Sequence, residues 1–460
     1  MTPKQYIDIN RERIIEDIKY LVNIKSVKDE PGAKAPYGEG IRKAQLAAMD
    51  LCKKYGFDVY DANGHIAWAH FGPEDKFICI MAHLDVVPEG DGWDSNPYEC
   101  IEKEGYLVGR GTGDDKGPFV MGLWAARYLI ENVKPLKYGI RLLLGLDEES
   151  GMEDIEYYIK NFTKPVFSFT PDANFPVCNG EKGICHVKMT SPDLGVSTLL
   201  EFSGGLAPNV VPDEAYVSVS SDLFGDLSEL AESNEDIVVL KDKVTKIKAK
   251  GISAHAGSPY DGKSAIHSLS SFLLSGDAIN KVEREALLLI EKLSGDFSGK
   301  SVGIDRDCEI FTPLTVNLGL ISMKENKFEV VLDIRYPISV APEEIEKMLS
   351  ELAREYGYEI IDISNKPPFY INPESPVIET LTRTFEEAYG EKHEPYVMSG
   401  GTYARKMDNA VAFGPGFPNR KKPDWAGDAH MKNEALSIED TFKATEIYCE
   451  SLIALQELDF

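Results

Sequence analysis

Two stretches of this chain are apolar at nearly every position and then stop abruptly on groups that hold metal or move protons. Phe77-Ile-Cys-Ile-Met-Ala82 runs into His83-Leu-Asp85-Val-Val-Pro88, and Ile140-Arg-Leu-Leu-Leu-Gly-Leu146 runs into Asp147-Glu148-Glu149. Continuous apolar runs of this length, as opposed to alternating ones, fit strands covered on both faces by helices. Sheets of that kind place their sites where the strands end. A third segment, Gly109-Arg-Gly-Thr-Gly-Asp114-Asp115-Lys-Gly117, brings two more carboxylates on a glycine-rich loop.

From about residue 77 to 172, short strands alternate with helical stretches. Strands are expected over 77–82, 140–146 and 166–169, and Pro118 suits the first turn of a helix carrying Ala125, Leu129 and Ile130. From about 186 the strands alternate in hydropathy. The stretch 328–335, a helix opened by Pro342 with Ile345, Met348, Leu349 and Leu352, and a strand over 358–363 give the βαβ order of a ferredoxin-like layer. Pro367-Pro368 marks a return; a helix over 376–389 stops at Gly390, and Ser437 with Asp440 caps the last helix. The expected fold is α/β: a catalytic domain with a mixed sheet flanked by helices, formed by 1–185 and 369–460, interrupted by an inserted α+β ferredoxin-like lid domain over 186–368.

At 460 residues the chain exceeds one ordinary core. A net charge of −27 repels phosphate backbones and anionic membranes, so nucleic acid is excluded as a partner and a small peptide is favoured. Membrane association is not expected, since no run reaches the roughly 18 apolar residues of a span. Ile14, Ile15, Ile18, Leu21 and Val22 lie on one helix face broken up by charge, which is not a signal peptide. Seven scattered cysteines without zinc-finger spacing read as reduced thiols of a cytoplasmic protein.

His83 and Asp85 stand two apart and, on one strand, share a face, where a carboxylate can orient a ligating imidazole. Asp114 follows glycines that leave room for an ion. Glu148 and Glu149 face opposite ways at a strand end, so one can bind metal while the other reaches a water. Each segment alone also fits a charged strand terminus or a structural histidine; their conjunction favours a metal site.

Two motifs point elsewhere. Gly257-Ser-Pro-Tyr-Asp-Gly262-Lys263-Ser264 satisfies the P-loop pattern, and 142–147 resembles the apolar strand ending in Asp that holds magnesium in NTPases. Pro259 removes a donor from such a cradle, and Asp261 repels phosphate. Gly299-Lys-Ser301-Val-Gly303 has the spacing of a hydrolase nucleophile elbow, but loop residues precede it where that motif needs a buried strand.

Taken in order, His83-Leu-Asp85-Val-Val-Pro88, Gly109-Arg-Gly-Thr-Gly-Asp114, Asp147-Glu148-Glu149 and the late His430 resemble the dinuclear zinc exopeptidases related to carboxypeptidase G, aminoacylase and carnosinase. Phe169-Thr-Pro-Asp172-Ala-Asn-Phe-Pro and Ser399-Gly-Gly-Thr-Tyr403 bring the likeness nearest to the bacterial PepV-type dipeptidases, over nearly the whole chain. The resemblance implies two zinc ions per chain, with manganese or cobalt as substitutes, bridged by Asp114. His83 and Asp172 would hold one ion, Glu149 and His430 the other. Asp85 would orient His83, Glu148 would be the general base, and the Asp114–Asp115 peptide would be cis. Three carboxylates and a bridging hydroxide would balance two dications, and that hydroxide would attack the peptide carbonyl.

From the inserted domain the resemblance implies Asn209, His255 and Arg335 as substrate-binding residues, His255 on the oxyanion and Arg335 on the C-terminal carboxylate, together with Gly400, Gly401 and Thr402. His65, His70, His186, His267 and His393 match no site of the family and read as structural. The implied protein is a monomeric metal-dependent dipeptidase. An N-acyl amino-acid deacylase on the same scaffold is the alternative, and a P-loop NTPase the reading from a different class.

Overall fold

The computed structural model describes residues 1–232 and 234–460. The chain divides into two compact units. The first comprises Met1–Gly180, Ile371–Tyr396 and Thr402–Phe460; the second comprises Glu181–Tyr370 and Val397–Gly401. The main segment of the second unit runs from 181 to 370, beside the 186–368 expected for the inserted domain. The unit also takes in Val397–Gly401, because the amide of Lys182 donates to Met398 O (2.9 Å) and Arg335 to Ser399 O (2.8 Å).

In the first unit the sheet runs in the order Asp58–Asp61, Ala67–Phe71, Gly139–Gly145, Phe77–His83, Phe167–Thr170, Ala410–Ala412, Cys178–Glu181. It is mixed. Phe77–His83 is parallel to both Gly139–Gly145 and Phe167–Thr170, whereas Ala67–Phe71 is antiparallel to Gly139–Gly145. Every residue of the two central strands is buried, as their nearly continuous apolar sequence requires, and the guanidinium among them, that of Arg141, donates to the Tyr158 hydroxyl at 2.7 Å. Register puts Ile80 beside Leu142 on one side and Phe169 on the other, so truncating Ile80 to Ala would cost about 2–5 kcal/mol.

Helices Pro3–Val22, Glu39–Lys54, Lys116–Asn132 and Ile438–Leu455 pack in the same core, contributing Ile18, Leu21, Ala48, Trp124, Leu129, Tyr448 and Leu452. The expected punctuation holds. Pro376–Tyr389 stops at Gly390 with φ 90°, and the Ser437 hydroxyl accepts the amide of Asp440.

The second unit is built on an antiparallel sheet in the order Ile237–Lys241, Thr245–Lys250, Glu214–Val219, Leu199–Gly204, Thr315–Lys324, Lys327–Tyr336, Gly183–Thr190, Glu359–Lys366. The expected βαβ order is present as Lys327–Tyr336, helix Pro342–Glu355 and Glu359–Lys366. Gly183–Thr190 lies between the two strands and is antiparallel to both. Helices Ala265–Ser275 and Lys281–Gly295 add Ile266, Leu269, Leu287 and Ile290 to this unit's own core.

Candidate metal centre

Three parallel strands of the first unit end at the same edge of the sheet, and each hands over a group. His83 closes Phe77–His83 opposite Gly145; Glu148 and Glu149 follow Gly139–Gly145, and Asp172 follows Phe167–Thr170. Asp114 precedes helix Lys116–Asn132, and its peptide bond to Asp115 is cis. His430 comes from a late loop, at φ 66°.

Asp114 stands between the two histidines. Its Oδ1 is 2.9 Å from His83 Nε2 and its Oδ2 is 2.9 Å from His430 Nε2, which in turn lies 3.0 Å from Glu149 Oε1. Two groups of possible ligand atoms, each gathered within 4.8 Å, share His83: one with Asp114 and Glu149, the other with Glu148 and Asp172. His83 Nε2 and Asp114 Oδ1 are buried facing each other, and Glu148 Oε1 is buried without a hydrogen-bond partner. Converging imidazole and carboxylate lone pairs of this kind fit a borderline dication such as zinc.

The electrostatics agree. Burial, then the charge of Asp172, pushes the Glu148 carboxyl well up; burial, then Asp114, does the same to Asp172 and raises Glu149. For Asp114 burial acts upward, but hydrogen bonds from His430 and His83 prevail and hold it low. Burial would depress His83, yet Asp114 and Asp85 raise it well above the ordinary imidazole range. His430 is pushed up to about 11 by its hydrogen bonds to Asp114 and Glu149. With the protein's own groups alone, positive charge collects where a dication would supply it.

The strand ends at His83, so strand alternation does not reach Asp85. Instead, His83 Nδ1 donates to the main-chain oxygen of Asp85 at 2.9 Å, which turns Nε2 toward Asp114. The Asp85 carboxylate is 3.4 Å from the same nitrogen and accepts the amides of Glu148 (3.3 Å) and Glu149 (3.1 Å).

Several supporting residues escaped the sequence reading. Asp115 Oδ2 accepts the amide of His83 at 3.1 Å. Asp154 accepts the amides of Leu146 (2.6 Å) and Asp147 (3.2 Å) and the Tyr403 hydroxyl, which fixes the approach to Glu148. Arg110 and Glu434 form a buried ion pair beside Asp114. No spacing in a single sequence singles out an Asp five residues past Glu149 or a Glu four past His430.

In the second unit, the predicted substrate residues fall together. The amide of Ala256 donates to Asn209 O (2.9 Å), and Val210 bridges to His255. Gly257 passes so near Ser399 that an added Cβ would lie 2.7 Å from the serine Cβ. Arg335 reaches Ser399 O, next to Gly400 and Gly401. Its Nε and Nη2 are held by the two oxygens of Asp333, at 2.5 and 2.7 Å, and His186 Nε2 is 2.9 Å from Asp333 Oδ2. Thr402 belongs to the first unit and caps the turn Tyr403–Lys406 by accepting the amide of Ala404 at 3.1 Å.

Both competing motifs are turns. Lys263 exchanges main-chain hydrogen bonds with Ile252 and ion-pairs with Asp236, while Ser264 caps helix Ala265–Ser275. Asp147 is buried against Lys28 (2.6 Å) and the amide of Glu153 (3.1 Å). Ser301 sits in the short turn Lys300–Val302 between two glycines of positive φ, with neither strand before it nor helix after. The seven cysteines are free thiols. Among the described residues no helix is long and apolar enough to cross a membrane.

Residues 79–454 match the family described as peptidase family M20/M25/M40. The Bacillus subtilis (strain 168) protein named "Putative dipeptidase YtjP" is 32% identical over 460 residues, covering 97% of each chain. Among solved structures, human carnosine dipeptidase 1 is similar in fold, with a TM-score of 0.61 at 16% identity over 99% of this chain and 98% of that one. The Saccharomyces cerevisiae di-peptidase Dug1p gives 0.60 at 14% identity, over 100% and 98%.

Proposed function

Because the chain belongs to peptidase family M20/M25/M40, we propose that it is a dinuclear metal-dependent dipeptidase cleaving substrates with a free C-terminal carboxylate. The observation that carries the reading is the placement of Asp114, with one carboxylate oxygen on His83 and the other on His430. On this reading Asp114 would contribute to both of two zinc ions, with His83 and Asp172 holding one and Glu149 and His430 the other. Manganese or cobalt would suit the same donors. Bound there, the ions supply Lewis acidity and bring the pKa of water down to about 7.

The chain's own groups do the rest. Glu148, with a buried unpartnered Oε1 and a carboxyl pushed up by burial, takes a proton from the attacking water and returns it to the leaving amine. Asp85 anchors the Glu148 amide and so aims that carboxylate. In the second unit, His255 Nδ1 accepts the Gly257 amide (3.0 Å), which leaves the neutral ring's proton on Nε2, suited to a developing oxyanion. Asp333 holds Nε and Nη2 of Arg335 and Ser399 O takes one proton of Nη1, which fixes a planar cation suited to the substrate carboxylate. Asn209 and the Gly400-Gly401-Thr402 stretch complete the substrate-binding set.

The test is a comparison on zinc-loaded protein of one dipeptide, its N-acetylated form and its C-terminal amide. The expected result is fast hydrolysis of the free dipeptide alone. Preference for the N-acetylated form would instead assign a deacylase, and hydrolysis of none of the three would end the reading.

A further inference from the structure

One buried ion pair touches the glycine loop before Asp114, the loop after His83 and the loop that carries His430. Arg110 and Glu434 are each 1% exposed, and Arg110 Nη1 lies 2.6 Å from Glu434 Oε2. The other carboxylate oxygen, Oε1, accepts three loop amides: Gly111 at 3.0 Å, Gly113 at 2.9 Å and Asp114 at 3.2 Å. The main-chain oxygen of Glu434 receives the Gly109 amide at 3.0 Å and the Thr112 hydroxyl at 3.3 Å. The glycine loop is therefore wrapped around one glutamate. A ring of amides about a carboxylate is the arrangement by which backbone holds an anion, and here the anion belongs to the chain.

Arg110 does the complementary work on carbonyls. It donates to His430 O (3.2 Å), Met431 O (3.3 Å), Glu89 O (3.3 Å) and Pro88 O (3.4 Å). Each of these bonds is long, but together they tie the loop after His83 and Asp85 to the loop that carries His430. His430 itself holds a φ of 66°, which side-chain-bearing residues seldom adopt, so something must keep it there. Its own carbonyl is one of those Arg110 holds.

We propose that Arg110 and Glu434 form a positioning pair that sets the separation of Asp114 from His430, and thereby the affinity for the ion assigned to Asp114, Glu149 and His430. The proposal rests on the ligand assignment given under the proposed function. Neither residue touches a reacting atom. Glu434 acts through the Asp114 amide and Arg110 through the His430 carbonyl. Outer partners of metal ligands characteristically change affinity by about 10- to 100-fold when replaced.

The full-length chain, Glu434→Gln and Arg110→Lys are each dialysed against a graded series of buffered free zinc, and metal per chain is measured. Wild type should hold two ions. Each variant should keep one ion with wild-type affinity and release the other at about 10- to 100-fold higher free zinc. Cobalt loading gives an independent view, since only one of the two visible-absorption titration steps should move. A pair that merely supports the fold would lower the melting temperature and leave both steps in place, and that result overturns the proposal. So does parallel weakening of both ions, or failure of both variants to fold. If only Glu434→Gln misfolds, Arg110→Lys decides, because it keeps the charge while giving up the fork that spans the carbonyls. Wild type binding fewer than two ions would sink the ligand assignment itself.

Discussion

The Tyr403 hydroxyl donates to the carboxylate of Asp154, and that carboxylate also receives the amides of Leu146 and Asp147. The turn leading to Glu148 is thus held from one side by Asp154 and from the other by Asp85. Close packing enforces the arrangement, since a Cβ on Gly145 would lie 2.3 Å from the Tyr403 oxygen. Removing the hydroxyl in Tyr403→Phe should cost about 1–3 kcal/mol, the penalty of a buried acceptor losing a donor. Denaturant titration checks the stability. Zinc content should be unchanged.

Glu148→Gln keeps the shape of the side chain and removes its ability to take a proton. We expect kcat to fall by ~10²–10⁴, with both metal content and KM close to wild type. Stopped-flow and steady-state assays on zinc-loaded protein read this directly. Wild-type turnover in the variant would remove Glu148 from the mechanism.

Asp85→Ala separates the two tasks of that residue. The main-chain oxygen that accepts from His83 Nδ1 remains, whereas the carboxylate that anchors the Glu148 and Glu149 amides is lost. The expected outcome is a fall of about 10- to 100-fold in kcat with retention of the ion on the His83 side. Metal analysis alongside kinetics distinguishes this from loss of His83 orientation, which would empty that side first.

Arg335→Ala should raise KM for a free dipeptide and change little for the corresponding C-terminal amide. Asp333→Asn should act in the same direction but more weakly, because it releases the guanidinium held at Nε and Nη2 without removing it. Equal losses on the two substrates would take Arg335 away from the carboxylate.

His70 gives a pH dependence far from the site. Its Nδ1 accepts from Arg141 Nε (3.4 Å) and its Nε2 donates to Gly72 O (3.2 Å), so the folded protein requires the neutral ring. Burial, with the Arg141 charge adding to it, lowers its pKa below the ordinary value of 6.5. The unfolded chain therefore takes up a proton first as pH falls. The contribution of His70 is fully present above pH 6.5 and is lost as pH drops below it toward the folded pKa. Denaturation midpoints measured between pH 7.5 and 5 should decline less steeply in His70→Gln than in wild type.

How much of this was legible follows from the physics of each signal. The two covered strands announced themselves because a strand buried on both faces is apolar at nearly every position, and their charged ends followed from the abrupt break. Pro342, Gly390 and Ser437 were readable because capping and termination are local. The His83–Asp85 geometry was not, since it depends on where the strand stops and not on its period. Glu434 was invisible for a different reason. It sits 320 positions from Asp114, and only folding brings its carboxylate to the glycine loop. The span of the second unit's sheet was likewise hidden, because long-range pairing such as that of Gly183–Thr190 with Glu359–Lys366 leaves no periodic trace.

The two histidines differ in what would have to move for each to let go. His83 ends a strand paired on both sides and buried throughout, so displacing it means breaking the sheet. His430 lies in a loop with more than half its side chain exposed, and a local excursion of that loop suffices. Local openings of loops cost far less free energy than openings of a core strand. On the proposed assignment, ion exchange at the two positions should run on separate timescales, one set by the loop and the other by global unfolding. A mixed-metal enzyme, with a fast-exchanging ion beside a trapped one, is then the natural product of changing metal supply after the chain has folded.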